Sequence, residues 1–277
     1  MHQEMRPRDE GAAMKGILRA AGLLITLAAV PACKRTAAPD APLRVAAASD
    51  LSEAFAEVGS TFERDTGRKT TFSFGASGLL AKQIEEGAPF DVFAAASLTF
   101  VDDVIKSGAC DAATKIVYAQ GHIALWAKSD APFTASTLAD LARPEIRRIA
   151  IANPGHAPYG KAAKQALVKA GVWSAVESKI VYGENVQQAL QFAQSGNADA
   201  AIVALSLATA SGGHVLPLDP TLHDPLMQGI VVCHGALDSK MQADARKFES
   251  FVTSEAGRSI LRRHGFSLPG DAPVPAP

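Results

Sequence analysis

The sequence predicts an α/β fold of two lobes, each with a mainly parallel sheet flanked by helices, and a ligand cleft between them. Three observations predict it. Short apolar runs alternate with helical stretches over most of the chain, the signature of strand–helix–strand units. The alternation gives about ten strands, generous for one open sheet, which favours two. Four helix starts carry turns built from Ser, Gly, Pro or Asn, and in open α/β sheets such starts lie beyond the carboxyl ends of strands, where ligands bind.

The two ends of the chain stand outside this pattern. Arg6, Arg8, Lys15 and Arg19 precede an apolar run, Ala20–Ala32 (AAGLLITLAAVPA). A basic segment before a short apolar core marks residues 1–32 as a secretory signal, and the run is too short for a membrane span of about 20 residues. Val30-Pro31-Ala32-Cys33 resembles a lipoprotein box, making Cys33 a candidate for acylation; the alternative is ordinary cleavage after Ala32 and a soluble periplasmic protein. Residues 33–42 read as a flexible tether, and Pro269–Pro277 as a Pro-rich disordered tail. Cys110 and Cys233 remain; an oxidising compartment permits a disulfide, but two cysteines 123 positions apart give no framework, and two unpaired thiols are an equal reading.

Between these ends the elements follow in order. Leu43–Ala48 is a buried strand, and Leu51, Phe55, Val58 and Phe62 recur at helical spacing up to Gly67. Lys69–Phe74 alternates as a strand; a helix from about Ser77 to Glu86 closes at Gly87; Asp91–Ala95 is a strand and Leu98–Lys106 a helix ended by Gly108. Lys115–Tyr118, His122–Ala127 and Arg148–Ala152 are strands, and Ala163, Ala166, Leu167 and Ala170 mark a helix closed by Gly171. Lys179–Tyr182, Ala200–Val203, His214–Pro217 and Gln228–Cys233 are further strands, with a helix marked by Val186, Ala189, Leu190 and Ala193 among them. Helices over Ser239–Phe251 and Ser254–Arg263 end the fold. With 277 residues, 48% hydrophobic, and a net charge of −1, the chain can bury real cores and carries no basic footprint for nucleic acid.

The helix starts carry the functional signal. At Ser49-Asp50, Asp50 and Glu53 have the spacing of a capping pair, which would leave the Ser49 hydroxyl free. Gly75-Ala76-Ser77-Gly78 lets backbone approach a ligand, Ala157-Pro158-Tyr159-Gly160 makes a tight turn, and Asn185 caps with Gln188 three residues on. Taken singly each reads as plain capping. Together, four helix N-termini facing one cleft would form a cage of donors for an anion. Competing chemistries fit less well. Gly75-Ala76-Ser77-Gly78-Leu79 is one glycine out of register for a nucleophile elbow, no phosphate-loop lysine follows the glycines, and the seven histidines lack metal-ligand spacing. His156 reads as a surface histidine, and Lys82 and Lys161 as solvated.

AASDL at Ala47–Leu51, FGASGLLAKQIEEGAPFDVFAAAS, NPGHAPYGKAAKQAL and YGENVQQAL together resemble the periplasmic molybdate-binding proteins of ABC transporters, over about Leu43–Leu268. The resemblance implies a periplasmic-binding fold, with lobe one over 43–121 plus 215–268 and lobe two over 122–214. It implies no cofactor, no catalysis, an expected monomer, and as partners a small oxyanion, a permease and its ATPase subunit. By matching motif, Ser49, Ser77, Tyr159 and Val186 would hold the oxygens of molybdate or tungstate, with Ala48, Ala76, Asn185 and Ala204 as further candidates. Many members place a tyrosine where this chain has Ala204, and Tyr159 would supply the missing hydroxyl from across the cleft. A cage of donors alone would disfavour hydrogenphosphate, whose proton needs an acceptor. The alternatives are the same fold holding sulfate or another oxyanion, a secreted hydrolase using Ser77, and a tethered scaffold protein.

Overall fold

The computed structural model describes residues 41–235 and 239–271. The expected signal segment, Cys33, most of the tether, and residues 272–277 lie outside the described residues.

Apart from Arg44, Leu43–Ala48 (β1) is apolar and buried, as a central strand covered on both faces should be. A 3-10 turn at Ser49–Leu51 leads into Ser52–Thr66 (α1). Thr70–Gly75 (β2), Ser77–Glu85 (α2), Val92–Ala95 (β3) and Leu98–Lys106 (α3) follow, and then the successive strands Ile116–Gly121 (β4) and Ile123–Ala127 (β5). Next come Ile149–Ala152 (β6), Pro158–Lys169 (α4), Trp173–Val176 (α5), Ile180–Gly183 (β7), Val186–Gln194 (α6), Ala200–Ala204 (β8) and Leu205–Ala210 (α7). His214–Pro217 (β9), Leu226–Val232 (β10), Ser239–Thr253 (α8) and Glu255–Arg263 (α9) complete the chain, with Ser254 capping the last helix.

The ten strands form two five-stranded sheets, in the orders β2-β1-β3-β10-β4 and β7-β6-β8-β5-β9. Each is parallel where it carries the site, at β2-β1-β3 and β7-β6-β8, and antiparallel where the chain crosses between lobes. The mixture has a topological cause: β4 runs into β5, and β9 returns to β10, and these four crossing strands add antiparallel to each sheet. β9 pairs with β5 along its whole length, so it belongs to the second sheet, and the chain returns after Pro217 rather than at the expected 214/215 boundary.

α8 is bound to lobe one by aromatic packing. Phe62 and Phe248 meet edge to face at 5.3 Å, and Phe55 lies 6.0 Å from Phe248; such pairs add about 0.5–1.5 kcal/mol each beyond burial. In lobe two, α4 and α6 turn Ala163, Ala166, Ala189 and Ala193, all fully buried, toward β6 and β8, so helix and sheet approach closely. Cys110 and Cys233 are bridged, their Cα atoms 3.8 Å apart, fastening the loop after α3 to the end of β10. The tail is held further than its composition suggests: Asp271 pairs with Arg262 at 3.0 Å and accepts from the Leu268 amide at 2.9 Å.

Candidate functional site

Four strand-to-helix turns end on one small cleft. From lobe one, Ala48 and Ser49 stand where β1 leaves its sheet, and Ala76 and Ser77 where β2 enters α2. From lobe two, Pro158 and Tyr159 open α4, and Val186 opens α6. Asp50, Ala96 and Ala157 complete the wall that matters here. The cavity itself is only about 10 Å³, room for little more than one water-sized group and far below the roughly 300–1,000 Å³ of ordinary small-molecule sites.

The local sequence leaves most of these helix ends without side-chain caps. The N-cap residues before the Ser49 turn, α2 and α4 are Ala48, Ala76 and Ala157, and none gives a side-chain cap. Alanine has no oxygen to offer the first-turn amides, which also lack intrahelical acceptors. At α6, Asn185 does cap, accepting from the Gln188 amide at 3.0 Å, as its spacing predicts. A buried amide without an acceptor is costly, and three uncapped helix ends around one gap, each carrying partial positive charge, favour an anion between them.

The hydroxyls add to this set. Ser77 is 1% exposed, and its Oγ accepts from the Ala96 amide at 3.0 Å, which leaves the hydroxyl proton to donate elsewhere. Ser49 is buried beside it.

Asp50 departs from expectation: it caps nothing. Its carboxyl is fully buried, and Oδ2 accepts from Tyr159 Oη at 2.9 Å and from Gln228 Nε2 at 2.6 Å. Gln228 Oε1 in turn accepts from Tyr118 Oη at 3.2 Å. Burial pushes the Asp50 carboxyl up to about 6, against the opposing bonds from Gln228 and Tyr159. Burial, with the Asp50 charge, holds the Tyr118 and Tyr159 hydroxyls well above the ordinary phenol range, so both stay protonated donors. The expectation that Tyr159 turns its hydroxyl to the ligand is corrected by this geometry, since its single proton is already donated to Asp50. The expectation of a donor-only wall is corrected too: a carboxyl stands in it.

The network also joins the lobes. Tyr159 reaches from α4 to Asp50 in lobe one past Gly121, where an added Cβ would lie 2.0 Å from Tyr159 Oη, so only glycine leaves room. Ser206 Oγ on α7 donates to the Asp50 carbonyl at 2.8 Å, and the Gly78 amide on α2 donates to the His156 carbonyl at 3.0 Å.

Of the other expected residues, Ala204 is buried at the start of α7 and does not line the cleft. His156 Nε2 donates to the Glu184 carbonyl, 2.9 Å away, beside a wider outer groove of about 250 Å³. Lys82 and Lys161 are largely exposed, paired with Glu86 and Asp224, and among the described residues no lysine or arginine lines the cleft. Among the described residues, no group of three or more His, Cys, Asp or Glu could hold a metal ion. Sequence reading missed Ala96; its signal was that β3 lies beside β1 and must end on the same edge.

Comparison with known proteins identifies the family and the fold. The sequence model of the bacterial extracellular solute-binding proteins matches residues 43–267. A molybdate-binding protein, ModA, of Azotobacter vinelandii is 34% identical over 238 residues, covering 84% of this chain and 92% of its own. ModA of Rhodobacter capsulatus is 32% identical over 223 residues, covering 80% and 86%. The solved periplasmic molybdate-binding protein of A. vinelandii superposes with a TM-score of 0.75 at 28% identity, covering 82% of this chain and 99% of that one.

Proposed function

The chain belongs to the family of bacterial extracellular solute-binding proteins, and we propose that it captures molybdate or tungstate outside the cytoplasm and delivers it to an ABC importer. In this reading it acts as a monomer, tethered to a membrane through acylated Cys33, and hands the ion to a permease with an ATPase subunit. Ser49 and Ser77 donate through their hydroxyls, and Tyr159 and Val186 through first-turn amides.

The observation that carries the reading is the convergence of three alanine-capped helix starts and two buried serines on a gap without a cation. Hydrogen bonds to a charged group contribute about 1.5–3 kcal/mol each, so five to seven reach sub-micromolar affinity after ordering losses. Because both lobes supply donors, only the closed arrangement gains the whole set, and binding drives closure. The hydrolase alternative is disfavoured by Ser77 itself: its hydroxyl meets the Ala96 amide, and among the described residues no histidine lines the cleft to take its proton.

Parallel calorimetric titration with molybdate, tungstate, sulfate and phosphate tests the proposal. Sub-micromolar binding of the first two, with the others at least about 100-fold weaker, is expected; sulfate bound as tightly, or no oxyanion bound, overturns it.

A further inference from the structure

Asp50 is an acceptor in a wall of donors. Its Oδ2 faces two donors, Tyr159 Oη and Gln228 Nε2, while its Oδ1 is buried with no hydrogen-bond partner among the described residues. An ionised carboxylate beside a bound dianion would leave that oxygen unmade and set like charges together in a dry site, both strongly unfavourable.

Among the described residues no cation relieves this. The turn that carries Asp50 packs against α6, α7, β2 and α1; α6, α7, β2 and β10 bear no charged side chain. On α1, Glu53 is exposed, and Glu57 is engaged by Arg263 and His264. Arg44, at the far end of β1, is paired with Asp91 at 2.8 Å. On α4, Lys161 pairs with Asp224, and Lys164 lies over the Trp173 ring. The titratable groups that do face Asp50 are Tyr118 from β4 and Tyr159 from α4, both of which remain protonated.

We propose that the cleft takes up its anion together with one proton, which lies between Asp50 Oδ1 and an oxygen of the ligand. The inference rests on the oxyanion reading given above. The balance is simple: an ionised Asp50, a solvent proton and a tetrahedral dianion give a neutral Asp50 whose Oδ1–H donates to the dianion. The orphaned oxygen gains a partner, the repulsion disappears, and the wall becomes donors throughout. Asp50 thereby sets the pH range in which the ion is held and released. Before the ion arrives its carboxyl titrates at about 6, so near pH 8 the proton comes from solution, whereas near pH 5 it is already in place.

The test is calorimetric titration of the mature chain with molybdate in pairs of buffers of different ionisation enthalpy, from about pH 5.5 to 8, which counts protons taken up. The expected result is close to one proton per ion near pH 8, falling toward zero near pH 5.5, with Kd weakening about tenfold per pH unit above 7. Asp50→Asn should remove both the uptake and the slope; circular dichroism checks its fold, and the buffer comparison on the unaltered chain stands without it. Tight binding with no uptake near pH 8, or the same slope in folded Asp50→Asn, overturns the inference while leaving oxyanion binding intact. Absence of binding by any oxyanion at any pH overturns the underlying reading and this inference with it.

Discussion

Replacing Ser77 by alanine separates a hydroxyl that binds a ligand from one that only packs. Ser77 is 1% exposed at the first position of α2, and its Oγ already accepts from the Ala96 amide at 3.0 Å. Its proton is therefore the group left to meet an anion. Removing it takes away one charge-assisted bond, about 1.5–3 kcal/mol, and Kd should rise roughly 10- to 150-fold. The substitution also leaves the Ala96 amide buried without its acceptor, which should lower unfolding free energy by about 1–3 kcal/mol. Calorimetric titration with molybdate gives the first quantity and urea denaturation without ligand the second. Lys161→Ala is the control: that side chain is 65% exposed and 3.6 Å from Asp224, so Kd should change by less than about threefold. A folded Ser77→Ala protein within about threefold of the unaltered Kd, or a larger loss in Lys161→Ala, would refute the reasoning.

Three further outcomes follow from the same physics. Tyr159→Phe strips Asp50 Oδ2 of one of its two donors, so stability in urea should fall by about 1–3 kcal/mol; no loss would mean the bond contributes nothing. Reducing the Cys110–Cys233 bridge, which closes a loop of 123 residues, should lower stability by roughly 4–5 kcal/mol, measured as the denaturation midpoint with and without reductant. Glu249 is buried with Oε1 lacking a partner among the described residues, and burial, opposed by Arg246, raises its carboxyl from 4.5 to about 7. The folded state therefore holds its proton more tightly, so Glu249 lowers stability as pH rises through that window and fully above it. Glu249→Gln should raise Tm near pH 8 and leave it unchanged near pH 4.5; an equal effect at both would contradict the assignment.

The helix starts were legible because their turn chemistry is local: a glycine or proline within two residues of Ser77 and Tyr159, or Asn185 three before Gln188, reads without knowing what lies across the cleft. The alternation likewise marked most strands to within a residue or two. What could not be read was long range. Asp50 sits at capping distance from Glu53, and a capping aspartate and a buried one look alike along the chain; the difference is made by Tyr159 and Gln228, 109 and 178 positions away. β9 shows no edge in its own sequence that assigns it to the second sheet, since that depends on β5 being free to pair on its far side. The Cys110–Cys233 bridge was open for the same reason: only the packing of β10 brings the two together.

The most direct test of the account is a crystal structure of the mature chain with tungstate, located by its anomalous scattering. One strong peak is expected between Ser49, Ser77, Tyr159 and Val186, its oxygens within hydrogen-bond distance of hydroxyl and amide donors and of Asp50, with no ammonium or guanidinium nitrogen in contact. A peak in the outer groove beside Lys161 and His156, or an ion gripped by a lysine or arginine, would contradict it.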